Sequence, residues 1–523
     1  MKKILLSVLG MIAIYSTSAT QYMHINLPNG NVYDVKVEKT DYVSHINKDG
    51  KDFIKVTRTD STYSLYPLEG AMVTFDKEIS YLVEDATNWN IPKVSIEGCV
   101  YDTTKAHQMR EDGAEQYEID KELFNAQYNY NNCIEEKVYE LNLHLTNKEK
   151  EIQYSANKYT KQLFAAISED SSQVNKNIIF SPTSFQFALA MLANGADDEA
   201  YSEISAALGQ KEIPLDSLNE MYSKRLSRLQ YVNPDIAQIG LVNGVFADKK
   251  SHFGKNFMQN IDEFYKAAAV NVDFSEDSTY VMMDKWAEES TNGMIKEIGV
   301  DKNLDLILVL ANALSFQSNW AKKFDTANTT PGKFVTSKGD EIEVDKMYCT
   351  YGPYTEGETY QLVNLKFGIE NRNTYHMNVI LPKEGFSPLS VLAEIDLENI
   401  QYKKSEYYDG IKAYLKLPKF NVSSKIPLKE ILKKTELENA MSTIYNNITP
   451  GAIISDVNQN AHLEIDEDGA KGAAVTIISM ERIGEDFYEY VDMDVNRPFI
   501  ITIQNEEDHE ILFIGLINDP TAK

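Results

Sequence analysis

The spacing of apolar side chains divides the chain into stretches of different character. Residues 21–90 alternate in short runs. Tyr22-Met23-His24-Ile25-Asn26-Leu27 and Val32-Tyr33-Asp34-Val35-Lys36-Val37 flank the turn-forming Pro28-Asn29-Gly30-Asn31, which predicts a hairpin. Asn47-Lys48-Asp49-Gly50 supplies a second turn and the alternation ends near Phe75, so a small β-rich accessory module is expected. Residues 91–152 are rich in Asn, Tyr, Glu and Lys, with an acidic stretch from Met109 to Glu118 and no sustained periodicity, and read as a linker or loosely folded segment. From about 153 the pattern becomes dense. Tyr159, Leu163, Phe164 and Ile167 recur at helical spacing, Ile178-Ile179-Phe180-Ser181-Pro182 reads as a short buried strand, and a second helix is predicted from Thr183 to Gly195. Strand-like runs appear from Leu306 to Phe316, Met377 to Leu381, Ala413 to Leu417 and Ile511 to Ile517, with helices between. This order is neither a repeat array nor a clean βαβ alternation, so residues 153–523 are expected to form one α+β domain.

The first twenty residues are not expected to join the fold. Met1-Lys2-Lys3 is basic, Ile4 to Tyr15 is almost wholly apolar, and Ser16-Thr17-Ser18-Ala19 offers small residues at cleavage spacing, the pattern of a secretory signal peptide over residues 1–20. The apolar run of about a dozen residues is short of the ~20 that span a bilayer. No cysteine comes after it, which argues against lipid anchoring. The expectation is a secreted protein, extracellular or periplasmic.

Composition narrows the partners. With 79 acidic against 51 basic side chains the net charge is −28, so binding to nucleic acid or to an anionic membrane, which needs basic surface, is disfavoured. Three cysteines are too few for a disulfide scaffold, and none sits in a CxxC pair; Cys99 and Cys133 are either paired or both free, and the sequence does not decide. Cys349, a lone thiol after Met347-Tyr348, reads as a small buried hydrophobe. There is no HExxH, GxSxG, P-loop or GxGxxG, and the eight histidines are scattered. Glu464-Ile465-Asp466-Glu467-Asp468-Gly469 imitates the start of a calcium loop, but the twelfth position is Val475 where a bidentate glutamate is needed. No metal and no cofactor is expected.

The segment after Gly469 is chemically odd. Ala470-Lys471-Gly472-Ala473-Ala474-Val475-Thr476-Ile477-Ile478 passes from small residues into a β-branched run, then yields to the polar Glu481-Arg482-Ile483-Gly484-Glu485-Asp486. The small half packs poorly as an ordinary strand, and the β-branched half is aggregation-prone as an ordinary loop. A segment that is a loop in one state and a strand in another reconciles the halves.

Here the chain resembles the serpins. Asn177-Ile178-Ile179-Phe180-Ser181-Pro182-Thr183-Ser184 is similar to the family's NxxFSPxS segment, and Leu308 to Phe316, with Trp320 and Phe324 after it, to its strand and breach region. Leu417-Pro418-Lys419-Phe420, Ser455-Asp456-Val457, the hinge Glu467-Asp468-Gly469, Arg497-Pro498-Phe499 and Phe513-Ile514-Gly515 come in the family's order, so the resemblance covers 153–523. It implies a large central β-sheet, further sheets and about eight to nine helices. The amino-terminal module is in turn similar to those of exported proteins from Bacteroidetes-type bacteria. Where the family usually carries a histidine before the hinge strand this chain has Gln459, which offers both a donor and an acceptor. The resemblance implies Ser181, Ser184 and Asn312 as its partners in a polar cluster beneath the sheet, and Trp320 at the point where the sheet opens.

The implied activity is inhibition of serine-type or cysteine-type endopeptidases by a suicide-substrate loop that is cleaved and inserted into the central sheet, so that catalysis belongs to the target and not to this chain. The partner is the target protease in a covalent complex with a monomeric inhibitor. The hinge residues are Glu467, Gly469, Ala470, Gly472, Ala473 and Ala474. The residue sixteen beyond Glu467 is Ile483, which places the reactive bond at Ile483-Gly484; Arg482 is the alternative, because 29 residues separate Gly469 from Pro498, a few more than in familiar inhibitors. Two other readings stay open: a non-inhibitory binding or carrier protein on the same fold, and an enzyme with a dispersed site.

Overall fold

In the computed structural model the described residues are the strands between 12 and 75, residues 104–115 with short pieces up to 133, and 144–522 except 231–236, 252, 292, 294, 301, 303–305, 369–374, 404–409, 456 and 471–487. The chain divides into two compact units, Met1–Val83 and Glu84–Lys523. In the first, Tyr22–Asn26 pairs antiparallel with Val32–Lys36 and with Met72–Phe75, forming a three-stranded sheet around the expected hairpin. Thr40–Lys48 pairs with Lys51–Arg58, and that strand with Tyr63–Pro67. Ile12–Ala13, from the apolar run, adds two residues to the free edge of Thr40–Lys48.

The second unit mixes helices and sheets. Residues 91–152, read from sequence as lacking periodicity, contain the helix Thr104–Glu111, which buries only Ala106, and a disulfide-bonded Cys133. Cys99 lies outside the described residues. The helix Asn147–Glu169 starts six residues before the boundary expected from sequence. Thr146 caps it: its hydroxyl accepts from the Glu149 N–H while the Glu149 carboxylate accepts from the Thr146 N–H, a reciprocal cap. Ile152, Ala156, Leu163, Phe164 and Ile167 form its buried stripe.

Two sheets build the core. One has six strands in the order Tyr354–Glu356, Tyr360–Lys366, Tyr375–Pro382, Phe499–Asn505, Ile511–Ile517 and Ile178–Phe180. The third, fourth and fifth of these are buried along their whole length, which explains their near-continuous apolar sequences. The central sheet also has six members, in the order Ala268–Val272, Gln238–Asp248, Leu308–Asn319, Gly469–Ala470, Asn458–Ile465 and Phe420–Pro427. A four-stranded sheet of Thr330–Val335, Glu341–Tyr351, Gly410–Pro418 and Tyr488–Asp494 completes the unit; its last pair is parallel. Nine α-helices are present among the described residues, so the fold is α+β with several sheets, as expected. No helix among those residues is long and apolar enough to cross a membrane.

Candidate functional site

The strand Asn458–Ile465 alternates, burying Gln459, Ala461, Leu463 and Ile465. It ends in a tight reversal. The Asp466 carboxylate accepts the N–H groups of Asp468 (3.0 Å) and Gly469 (3.2 Å), and the Asp466 N–H donates to the Gly469 carbonyl at 3.0 Å. Gly469 takes φ +151°, and a Cβ there would lie 2.1 Å from the Ser318 carbonyl oxygen, so only glycine permits this approach. The chain then enters the central sheet antiparallel to both neighbours, with Ala470 opposite Ser318 on one side and Ile465 on the other. Ala470 is 3% exposed.

Side chains hold the reversal in place. The Glu467 carboxylate accepts from Thr329 Oγ1 at 2.7 Å and from Lys419 Nζ at 3.3 Å. Burial opposes its ionisation, but these donors hold its pKa below the usual glutamate value. Asp468 pairs with Lys323 at 2.7 Å. The acidic run that imitates a calcium loop therefore spreads its carboxylates over separate partners instead of aiming them at one centre. Trp320, fully buried, donates its indole N–H to the Asp466 carbonyl at 2.8 Å and stacks on Phe367 with centroids 4.5 Å apart. Its backbone N–H bonds the Asp468 carbonyl, and that of Phe324 the Glu467 carbonyl. Trp320 thus pins the reversal between the two strands that flank Gly469–Ala470.

A polar cluster lies further down the same strands. Ser181 caps the helix Pro182–Ala193, its hydroxyl accepting from the Ser184 N–H at 3.2 Å. Gln459 binds the Ser181 backbone on both sides, accepting from its N–H at 2.8 Å and donating to its carbonyl at 3.0 Å. Ser181, Ser184 and Gln459 are therefore brought together. Asn312 is not hydrogen-bonded to them. Its amide donates to Asn243 Oδ1 at 2.6 Å, and Asn243 donates in turn to the Tyr265 carbonyl. The Asn312 Oδ1 atom is buried with no hydrogen-bond partner among the described residues. Asn243 had a sequence signal, a lone amide within the apolar run Leu241-Val242-Asn243-Gly244-Val245; Thr329, Lys323 and Lys419 had none, because their partners are more than forty residues away.

Five residues down the flanking strands from the level of Ala470 is a cavity of about 190 Å³, lined by residues 308–313 of one strand and 458–460 of the other, with Phe185, Leu189, Trp286 and Tyr445 also in its wall. The remaining expected site residues, Gly472, Ala473, Ala474, Arg482, Ile483 and Gly484, lie outside the described residues.

Comparison with known proteins agrees with this arrangement. The family model described as Serpin (serine protease inhibitor) matches residues 154–520. Neuroserpin of Gallus gallus is 25% identical over 377 residues, covering 67% of this chain and 88% of the relative. Serpin-Z2B of Triticum aestivum is 28% identical over 386 residues, covering 69% and 95%. In structure the chain is similar to the thermophilic serpin tengpin in its native state, with TM-score 0.62 and 24% identity over 72% of this chain and 95% of that one. It is also similar to the thyroxine-binding globulin complex with thyroxine, with TM-score 0.60 and 23% identity over 72% and 100%. These structural likenesses, under 25% identical, show the fold.

Proposed function

Because this chain belongs to the serpin family, we propose that it inhibits serine or cysteine endopeptidases as a suicide substrate. The protease nucleophile attacks the carbonyl carbon of Ile483, or of Arg482 in the alternative register, and the amine of the next residue leaves. An acyl-enzyme is formed. The freed segment beyond Ala470 then enters the central sheet before water can release the enzyme, and the protease is carried away from its working geometry. The native state must therefore be trapped above a more stable one, so its persistence is kinetic.

One observation carries this reading: Gly469–Ala470 already sits between two mutually parallel neighbours, and a cavity lies further down between the same two strands. Antiparallel register extends one residue down for each residue up. Six steps beyond Ala470 is Thr476, and six steps below Ser318 and Ile465 are Asn312 and Gln459. Both neighbours thus bring the same residue to the polar cluster, with the Asn312 Oδ1 lacking a partner. The same register sends Ala470, Gly472, Ala474 and Thr476 to the face that Gln459, Ala461, Leu463 and Ile465 bury, while Lys471 turns to the other face beside Glu464. Small residues enter the buried face at low cost, which suits fast insertion.

Export fits the same reading. The basic start and short apolar run act as a signal peptide, and a disulfide-bonded Cys133 belongs in an oxidising compartment. The test is incubation of purified protein with a protease panel, then a denaturing gel for a covalent complex and mass analysis of the released carboxy-terminal fragment. A complex confirms the mechanism and the fragment mass fixes the bond. Cleavage without a complex would assign the chain to the non-inhibitory carriers of this fold.

A further inference from the structure

The four-stranded sheet carries an unusual exposed face. Tyr490 on the edge strand, Tyr414 on the next and Tyr348 on the third stack in a row, with ring centroids 4.9 and 6.5 Å apart and interplanar angles of 13° and 20°. Tyr414 and Tyr490 are 38% and 45% exposed. Beside the row, Lys412 Nζ lies 3.5 Å from the Tyr488 ring centroid. Cross-strand aromatic pairs stabilise a sheet, but that role is served equally well by partly covered rings. Here the rings stand ordered against one another while Tyr414 and Tyr490 keep part of their surface in water. Ordered, part-exposed tyrosines are side chains that protein interfaces favour, since they offer large contact area and lose little rotamer entropy on binding.

We propose that this tyrosine face is a second docking surface for the target protease. The inference rests on the inhibitory reading above and adds a determinant of which enzymes are captured and how fast. Reach supports it. The strand Tyr488–Asp494 starts five residues after Ile483, and five extended residues at ~3.3 Å each span at most ~17 Å. A protein partner of standard size covers about 800 Å² on each side, a disc of roughly 16 Å radius. A protease seated on the bond after Ile483 therefore has the start of this strand at or inside the rim of its footprint, and the stacked row leads from that strand across the sheet. This continuity with the bait segment identifies the occupant.

The experiment compares the full chain with the double variant Tyr414→Thr/Tyr490→Thr, in which β-branched residues keep the strand propensity, and with Tyr490→Phe, which keeps the stack. The probes are trypsin, pancreatic elastase, chymotrypsin and subtilisin, and the readouts are the second-order rate of covalent complex formation, the moles of inhibitor used per mole of protease trapped, and the melting temperature. The expected result is a rate about tenfold lower for the double variant with at least one probe, with stoichiometry unchanged, and a rate near the starting value for Tyr490→Phe. Complexes formed at unchanged rates by all variants overturn the docking surface and leave the inhibitory reading intact. A slower rate that comes with a lower melting temperature and altered stoichiometry also overturns it, since the row would then serve the sheet alone. If the unaltered chain forms no complex with any probe, both readings fall together.

Discussion

Thr476→Arg is the sharpest perturbation of the insertion mechanism, because the register names its surroundings before any complex is seen. Residue 476 is projected onto the buried face between Asn312 and Gln459. Gln459 has committed both ends of its amide to Ser181, and the Asn312 amide nitrogen is committed to Asn243, so among the described residues of this cluster the Asn312 carbonyl oxygen is what is left for a guanidinium with five donors. A charge placed there without a carboxylate partner costs several kcal/mol. Taking ~4 kcal/mol, and insertion past this point as the step that races hydrolysis of the acyl-enzyme, trapping slows by about a thousandfold. The native hinge is untouched, since the substitution lies beyond Ala470. Thr476→Val, which only withholds a hydroxyl from Asn312, should cost ~1 kcal/mol and about fivefold.

The assay is the number of inhibitor molecules consumed per protease trapped, read by titration and by the ratio of cleaved to complexed chain on a denaturing gel. Thr476→Arg should run almost wholly to cleaved product with active protease released. Lys471→Gln is the control: it lies on the opposite face, beside Glu464 and Gln317, and should trap protease as before. Lys471→Glu is a poorer control, because it would set a second carboxylate against Glu464. Equal trapping by Thr476→Arg and the unaltered chain would refute the projected register, and with it the claim that the segment enters between these two strands.

The same structure sets two further outcomes. Proteolytic cleavage within residues 480–488 should raise the melting temperature sharply, since the freed segment gains a ladder on each side; a verified cut that leaves it unchanged counts against insertion. A chain beginning near residue 140, which keeps the Thr146 cap and the pairing of His144 with Glu507, should fold and inhibit fully without the preceding residues; normal folding with weakened inhibition would assign the removed stretch, which holds the unit Met1–Val83 and the helix Thr104–Glu111, a part in target capture.

Much of the serpin body was legible in the sequence because its signals are local. The strand ending in Ser181-Pro182 and the helix after it are announced by an apolar triplet, a capping serine and a proline at the first helical position. The predicted strand runs fell within or near observed strands, with Leu306 to Phe316 observed as Leu308–Asn319. The helix Thr104–Glu111 was missed because it buries a single residue and so leaves no apolar stripe to read. At the site, the motif order singled out Gly469 and Trp320, which the structure brings to one reversal through the Asp466 carbonyl. It did not show that Asn312 turns toward Asn243, since that choice depends on which strand lies beside it in space: the two asparagines are directly opposed in the ladder joining Leu308–Asn319 to Gln238–Asp248.

The replacement of the family's usual histidine by Gln459 has a consequence for pH. Gln459 holds the Ser181 N–H and carbonyl at once, a pairing that suits an amide because its donor and acceptor lie side by side. A neutral imidazole also has one donor and one acceptor, but they point away from each other and cannot both meet the N–H and the carbonyl of one residue. The link between the strand Asn458–Ile465 and the start of the helix Pro182–Ala193 is therefore bidentate and contains no group that titrates near neutrality. Insertion past this point should proceed at the same rate from pH 6 to 8; because hydrolysis of the acyl-enzyme carries the protease's own pH dependence into the stoichiometry of trapping, the readout is the ratio of the stoichiometries of the Gln459→His and unaltered chains at each pH. Gln459→His should break one of the two hydrogen bonds and introduce a group with an ordinary pKa near 6.5, so that trapping efficiency changes across that interval. Protonation would deprive the Ser181 N–H of its acceptor, and the strand would be held less firmly against the helix at the acid end. A ratio of the two stoichiometries that stays flat across this interval would mean that this cluster does not govern entry of the loop.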